Sequence, residues 1–344
     1  MSEISDFNSL IKMEKISGWG RRSFVNAKFL KLDSSEEAKN FIKGNNSSLI
    51  IARGLGRSYG DAAQLNEGII LNVHFSRGIS ISGNEVTVGG GVSICTLLEA
   101  ILPLGYFLPV SPGSTKVTIG GAIAADVHGK NHHKYGSLGN YVSRILIIDG
   151  KGTIQELKPK LEKSNKDNDY FWATIGGMGL TGIILEVTIS LLKIETSLMK
   201  VESYVCEDLE NLMNLMKSKD NDYSYSVAWI DSLHKKKRGV LTCGEHAKME
   251  DLSLRPSNLL YCNLRNHIDL PNFFPNGILS RLSMKVFNEY WFRKSNLVEK
   301  SIQTIPQFFY PLDKINNWNR IYGSEGFYQY QFVVPDQNSY FIEK

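Results

Sequence analysis

The sequence predicts an α+β fold in two parts, and three observations point there. The chain has 344 residues, more than one simple core serves, so two domains are expected, at 1–194 and 195–344. Sixteen of its 30 glycines lie between Ile51 and Gly139, where short β-branched runs alternate with glycine turns. After Ser197 glycine becomes rare while aromatic and basic residues rise, so the second part is built differently.

Taken in order, Ser48 to Ala52 (SLIIA) is an apolar run stopped by Arg53-Gly54. Gly68 to Val73 and Glu85 to Val88 read as further strands. Ser93 is placed to cap a helix through Cys95–Leu102, and Pro103 ends it. Arg144 to Ile148 reads as a strand entering the turn Asp149-Gly150. Gly182 to Leu192 (GIILEVTISLL) is a long β-like stretch that closes the first domain. In the second part, Glu207 to Lys217 has apolar residues at helical spacing and Tyr223 to Ile230 reads as a strand. Phe327 to Val334 (FYQYQFVV) alternates as a strand does.

Composition narrows the class. With 42% hydrophobic and 22% charged residues the chain is not disordered as a whole. The most apolar stretch, Ile94 to Val110, is broken by Glu99, Pro103 and Pro109, short of the roughly 18 apolar residues a membrane span needs. The start, MSEISDF, is acidic and polar, unlike a secretory signal, and the four cysteines form no CxxC pair. A cytoplasmic protein without a disulfide scaffold is the expectation. A net charge of +4 is too small to imply nucleic acid. Between Ser232 and Lys300, however, 12 Lys or Arg face 6 Asp or Glu, densest at Lys235 to Arg238. That excess suits an anionic lipid surface or a phosphate-bearing substrate, and equally a solvated loop.

Three glycine clusters follow strands or precede them: ARGLGRSYG (52–60), PGSTKVTIGGAIAADVHG (112–129) and IGGMGLTG (175–182). Glycine permits positive φ and inward N–H groups that can cradle a pyrophosphate, and small residues let a flat cofactor approach backbone. Neither the G-x-G-x-x-G fingerprint nor a Walker A motif is present. A dinucleotide site of another type is one reading; tight turns in a β-rich domain are the other. In DVHGKNHHKYG (126–136), His128, His132 and His133 lie close together. No matching donor cluster supports a metal. Polar turn histidines, or a catalytic rim in which His128 and Lys130 orient a substrate hydroxyl or phosphate, remain open.

ARGLGRSYGD, PGSTKVTIGGAIAADVHGKNHH and FWATIGGMGLTGI resemble the flavin-binding domain of the vanillyl-alcohol oxidase/p-cresol methylhydroxylase (PCMH) superfamily. Within it the chain is most similar to the decaprenylphosphoryl-β-D-ribose 2′-oxidase family, through YSYSVAWID, PNFFPNGI, FNEYWFRKS, PLDKINNWNR and GFYQYQFVVP as well. The resemblance implies a two-lobed PCMH-type FAD-binding domain followed by an incomplete antiparallel-sheet substrate domain. It implies FAD held by Arg53, Gly54, Leu55, Gly56, Arg57, Ser58, Tyr59, Gly60, Asp61 and Ala62 at the pyrophosphate and ribityl. Gly113, Thr118, Ile119, Gly120, Gly121, Ala125, Asp126, Val127 and His128 would line the ring and its linker, with Ile184 near the adenine. Arg57 stands where relatives with covalent flavin often carry a histidine, so non-covalent FAD is expected. On the substrate side the resemblance implies Tyr59, His128, Lys130, Trp229, Tyr310, Gln329 and Gln331, with His128 and Lys130 catalytic and no metal.

The implied reaction oxidises the 2′-hydroxyl of a polyprenylphosphoryl-β-D-ribose to the 2′-keto sugar by hydride transfer to flavin N5, for arabinose-donor synthesis. The implied partners are that lipid-linked substrate, a short-chain reductase, and a membrane surface at the inner face of the cytoplasmic membrane. Family members continue beyond the QYQFVVP segment, including a catalytic lysine in a Lys-Leu-Phe-Gly-like stretch that this sequence lacks. A second chain supplying that portion is therefore a further expected partner. Two alternatives stand beside this reading: an FAD-linked oxidase of a soluble sugar alcohol or aldonolactone, and a non-catalytic or split flavoprotein subunit.

Overall fold

A computed structural model describes residues 7, 9–45, 49–73, 78–159, 166–253, 256–265, 268–271, 274–296, 299–335 and 337. Ser48 and most of the tail after Val334 lie outside the described residues. The first half contains two sheets. β1 (Lys12–Ser17) and β2 (Phe24–Leu32) pair antiparallel, and β3 (Ile50–Arg53) and β4 (Ile69–Val73) add parallel strands in the order β1-β2-β4-β3. The crossover from β2 to β3 is α1 (Ser35–Gly44), whose cap Ser34 accepts from the Glu37 N–H. Its Ala38, Phe41 and Ile42 are buried against the sheet.

The second sheet is antiparallel, in the order β5 (Ile79–Ser82), β6 (Glu85–Gly89), β10 (Ile183–Ser190), β8 (Val142–Ile148) and β9 (Ile154–Leu157). A two-stranded ribbon of β7 (Tyr106–Phe107) and β11 (Leu192–Lys193) lies beside it. Beneath this sheet runs α2 (Ile94–Ile101). Ser93 caps it by accepting from the Thr96 N–H, and Pro103 sits in the 3-10 turn that follows. Three further helices, α3 (Ile119–Ala124), α4 (His132–Tyr135) and α5 (Lys166–Thr174), complete this half.

The second half is an antiparallel sheet ordered β13 (Tyr225–Ile230), β14 (Gly239–His246), β12 (Leu198–Cys206) and β16 (Lys300–Thr304). Helix α6 (Leu209–Lys219) closes one face of it over Cys206, Leu241 and Cys243. Two further helices are α7 (Arg281–Ser295) and α8 (Ile305–Phe309), and β15 (Ile268–Asp269) pairs parallel with β17 (Ile315–Asn316). One buried cluster runs through both halves, joining Leu97, Leu98, Phe107 and Val187 to Met199, Tyr225, Phe308 and Phe309.

Phe327–Val334 is not a strand. The segment is irregular, and no strand among the described residues pairs with it. Alternation favours a strand only where a ladder partner takes its N–H and C=O groups. Here the segment instead crosses back to the first half, where the Phe327 N–H donates to Gly20 O at 2.8 Å.

Candidate active site

A cleft of about 1050 Å³, counting its open mouth, lies between the loop after β3, the start of α3 and the turn before β10. It is lined by Arg53 to Ser58, Ala62, Thr118, Gly120, Gly121, Ala125, Val127 and Ile184, all expected at the cofactor. Its walls approach one another through glycines. A Cβ on Gly54 would collide with Thr118 Oγ1, the hydroxyl that caps α3 by accepting from the Gly121 N–H at 3.1 Å. Along the cleft wall the Gly120 N–H donates to Gly90 O and the Gly90 N–H to Leu185 O, both at 2.8 Å. Backbone layers this close leave no room for side chains.

Two arginines shape the loop. The Arg53 guanidinium donates to Ala63 O at 2.9 Å and to Ser17 O at 2.7 Å, which ties both ends of the loop to β1. Burial lowers its pKa. Arg57 lies 3.9 Å over the Trp19 ring, and its buried Nε has no hydrogen-bond partner among the described residues. Burial lowers the Arg57 pKa as well, against the opposing field of Asp313. The backbone N–H groups of Leu55, Gly56, Arg57 and Ser58 donate to no other described residue. An orphaned cationic donor, a row of uncommitted amides and Cβ-free walls fit a flat, anionic dinucleotide.

Beyond the cleft, Tyr59, Gln329 and Gln331 line a shallow mouth. The Gln331 side-chain nitrogen lies 2.7 Å from His128 Nε2, although the two residues are 203 apart in sequence. An amide N–H donates, so His128 Nε2 is the acceptor in this contact. Tyr59 packs edge-on to Trp318 and Phe327, and burial is the main cause of its raised pKa. The Lys130 ammonium donates to the Phe308 carbonyl and sits 4.3 Å over the Phe308 ring. Burial lowers its pKa from 10.5 to about 8.

Other expected residues are placed differently. Ile119 turns its side chain into the core. Asp126, at φ +40°, accepts from the Ser137 hydroxyl at 2.7 Å and the Gly139 N–H at 3.0 Å, so its carboxylate holds the following turn. Tyr310 is fully buried with its hydroxyl 2.5 Å from Ser111 Oγ. Gly60, Asp61 and Gly113 line none of the clefts described, and Trp229 is half-buried on β13 opposite Val240.

Some residues of the site were not expected from the sequence. Asp313 accepts from the Ser114 hydroxyl at 2.7 Å, and from the Thr115 N–H at 2.6 Å and hydroxyl at 2.8 Å. It pins the loop that leads to α3, and no local pattern marks it. Met178, Gly179 and Gly182 line the cleft and come from the third glycine cluster, which was a signal without an assigned role.

The FAD binding domain family matches residues 28–158, the part that contains the loop after β3 and helix α3. Decaprenylphosphoryl-β-D-ribose oxidase of Mycolicibacterium smegmatis is 39% identical over 338 residues, covering 94% of this chain and 72% of that protein. The chain belongs to the decaprenylphosphoryl-β-D-ribose oxidase family. Two more distant relatives match only part of the chain. A D-lactate dehydrogenase of Archaeoglobus fulgidus is 29% identical over 175 residues, covering 49% of this chain and 40% of that protein. Cytokinin dehydrogenase 3 of Oryza sativa subsp. japonica is 31% identical over 150 residues, covering 41% and 27% respectively. This member of the ribose oxidase family is thus an FAD-dependent oxidoreductase with a PCMH-type α+β fold. No helix among the described residues is long and apolar enough to cross a membrane.

Proposed function

We propose that this chain oxidises the 2′-hydroxyl of a polyprenylphosphoryl-β-D-ribose to the 2′-keto sugar. The observation that carries the reading is the meeting of His128 with Gln331 beside Tyr59 and Gln329, next to a cleft fitted to FAD. Bound FAD supplies the acceptor for the hydride that leaves the sugar carbon. His128 orients the reacting hydroxyl and takes its proton at Nε2 once substrate displaces the Gln331 amide. The half-buried Lys130 ammonium binds the substrate's phosphate or the oxygen as it gains charge. Tyr59 and the two glutamines position the ring.

FAD is held without a covalent bond in this reading, because Arg57 occupies the loop position before Ser58. Acid precipitation that releases all the flavin into the supernatant is the expected result. The keto product calls for a reductase acting next, for which a short-chain reductase is the proposed partner. In this reading a cytoplasmic enzyme meets its lipid-linked sugar at the inner face of the cytoplasmic membrane.

The decisive experiment records the flavin spectrum of the purified holoprotein before and after anaerobic addition of detergent-dispersed polyprenyl-phosphoribose. Bleaching of the oxidised band is expected. Bleaching by a soluble sugar alcohol or aldonolactone instead moves the substrate to that class. A bound flavin that answers to neither defeats the catalytic proposal for this chain.

A further inference from the structure

We infer that the outer face of α7 docks this protein onto an anionic lipid bilayer. The inner face of α7 (Arg281–Ser295) is fixed to the body. Asn288 and Phe292 are its buried residues, and the Asn288 side-chain amide donates to Asp231 at 2.6 Å. The Arg238 guanidinium covers the Phe292 ring at 4.2 Å and donates to Glu289 at 2.6 Å and Asp231 at 3.2 Å. The helix therefore cannot roll to bury what lies opposite.

What lies opposite is apolar and exposed. Leu282 and Val286, at 74% and 64% exposure, form a row with Tyr290 at 60%. Phe287 and Trp291 flank them, their rings stacked at 6.3 Å. Five large exposed side chains on three turns make a patch that soluble surfaces rarely carry without a partner. Tyr and Trp are also the aromatics suited to the boundary between headgroup and acyl chain.

Charge decides the occupant. Arg281, Lys285, Arg293 and Lys294 stand against the single acid Glu289 on this helix. Beside it, the turn that leads into Arg238 exposes Lys235 and Lys236. A second copy of the chain meeting this face about a two-fold axis would set these cations against their own copies. An anionic bilayer instead takes the apolar row among its acyl chains and the cations among its phosphates. Docking of this kind is independent of what the active site oxidises.

The test uses the FAD-loaded chain without substrate, in sedimentation with vesicles of equimolar phosphatidylcholine and phosphatidylglycerol or of phosphatidylcholine alone. Binding to the anionic vesicles that weakens in high salt is expected. Arg281→Ala with Lys285→Ala should lower the partition roughly 30-fold, about fivefold per cation. Leu282→Ser with Val286→Ser should abolish it while FAD content and melting temperature stay unchanged, since both side chains are exposed. Lys12→Glu, on the first strand, should leave it unchanged. No binding to anionic vesicles, or equal binding by the Leu282→Ser/Val286→Ser protein, overturns the inference. So does a dimer in sedimentation velocity that those two substitutions dissolve, because a second copy then owns the face. Because no substrate is present, failure here leaves the flavin-bleaching result untouched.

Discussion

A guanidinium lodged against an indole, as Arg57 is against Trp19, has shed much of its water and keeps an N–H at Nε for a ligand. Arg57→Ala is expected to weaken FAD binding by roughly 1.5–3 kcal/mol, on the order of 10- to 100-fold in Kd. Flavin fluorescence titration measures this, and unchanged affinity would take Arg57 out of the site. Lysine should not restore binding, because it lacks the planar group that stacks on Trp19. Lys130 brings a pH dependence. Its pKa of about 8 means that the ammonium, the form that binds a phosphate, is lost as pH rises through that value. Activity toward a phosphorylated sugar should therefore fall above about pH 8, and Lys130→Arg should push that limb to higher pH in the pH–rate profile. Arg57 and Lys130 could be named as candidates from ARGLGRSYG and HGKNHH, because each run is contiguous. Their acidities were not, since these depend on Trp19, Asp313 and Phe308 arriving from elsewhere in the chain.

At the level of the helix and strand, two glycines test how the cleft is built. Gly182 has φ +144°, and a Cβ there would strike the Ile148 carbonyl where β8 meets β10. Gly182→Ala should cost about 1–3 kcal/mol, read in urea denaturation of the apoprotein. Gly54→Ala instead presses on the Thr118 hydroxyl that caps α3, so FAD affinity should fall more than apoprotein stability. Measuring affinity and stability for both variants separates the glycine beside the Thr118 cap from the one that the β8–β10 junction requires, and equal losses would contradict that division. Helix α2 was legible almost to the residue because Ser93 and Pro103 are local signals. Strands β12 and β14 were not anticipated, although they form the centre of the second sheet. Lys200, Glu202 and Ser203 interrupt the apolar pattern of β12, and pairing to β14 and β16 holds it in place. Phe327–Val334 erred in the opposite direction, with the pattern of a strand but no described ladder to join.

Across the molecule, the shared core predicts that the two halves unfold together. Near- and far-ultraviolet circular dichroism should give coincident thermal transitions, and two separated ones would show that the halves are independent. His246 sits in that core against Phe107, Tyr225 and Phe309, and neither ring nitrogen has a hydrogen-bond partner among the described residues. Burial lowers its pKa from 6.5 to about 4. The unfolded chain takes up this proton first, so stability is full above about pH 6.5 and is lost as pH falls toward 4. His246→Leu should flatten that slope in denaturation measured across the window, and an unaltered slope would assign it to other groups. The three glycine clusters, each of which contributes residues to the cleft, could be read from sequence because they are short contiguous runs of glycine and small residues. The site itself was decided only in three dimensions. Gln331 meets His128 across 203 residues, Phe308 desolvates Lys130 and Asp313 pins Thr115, and each pair exists only because the second half packs against the first through a shared core.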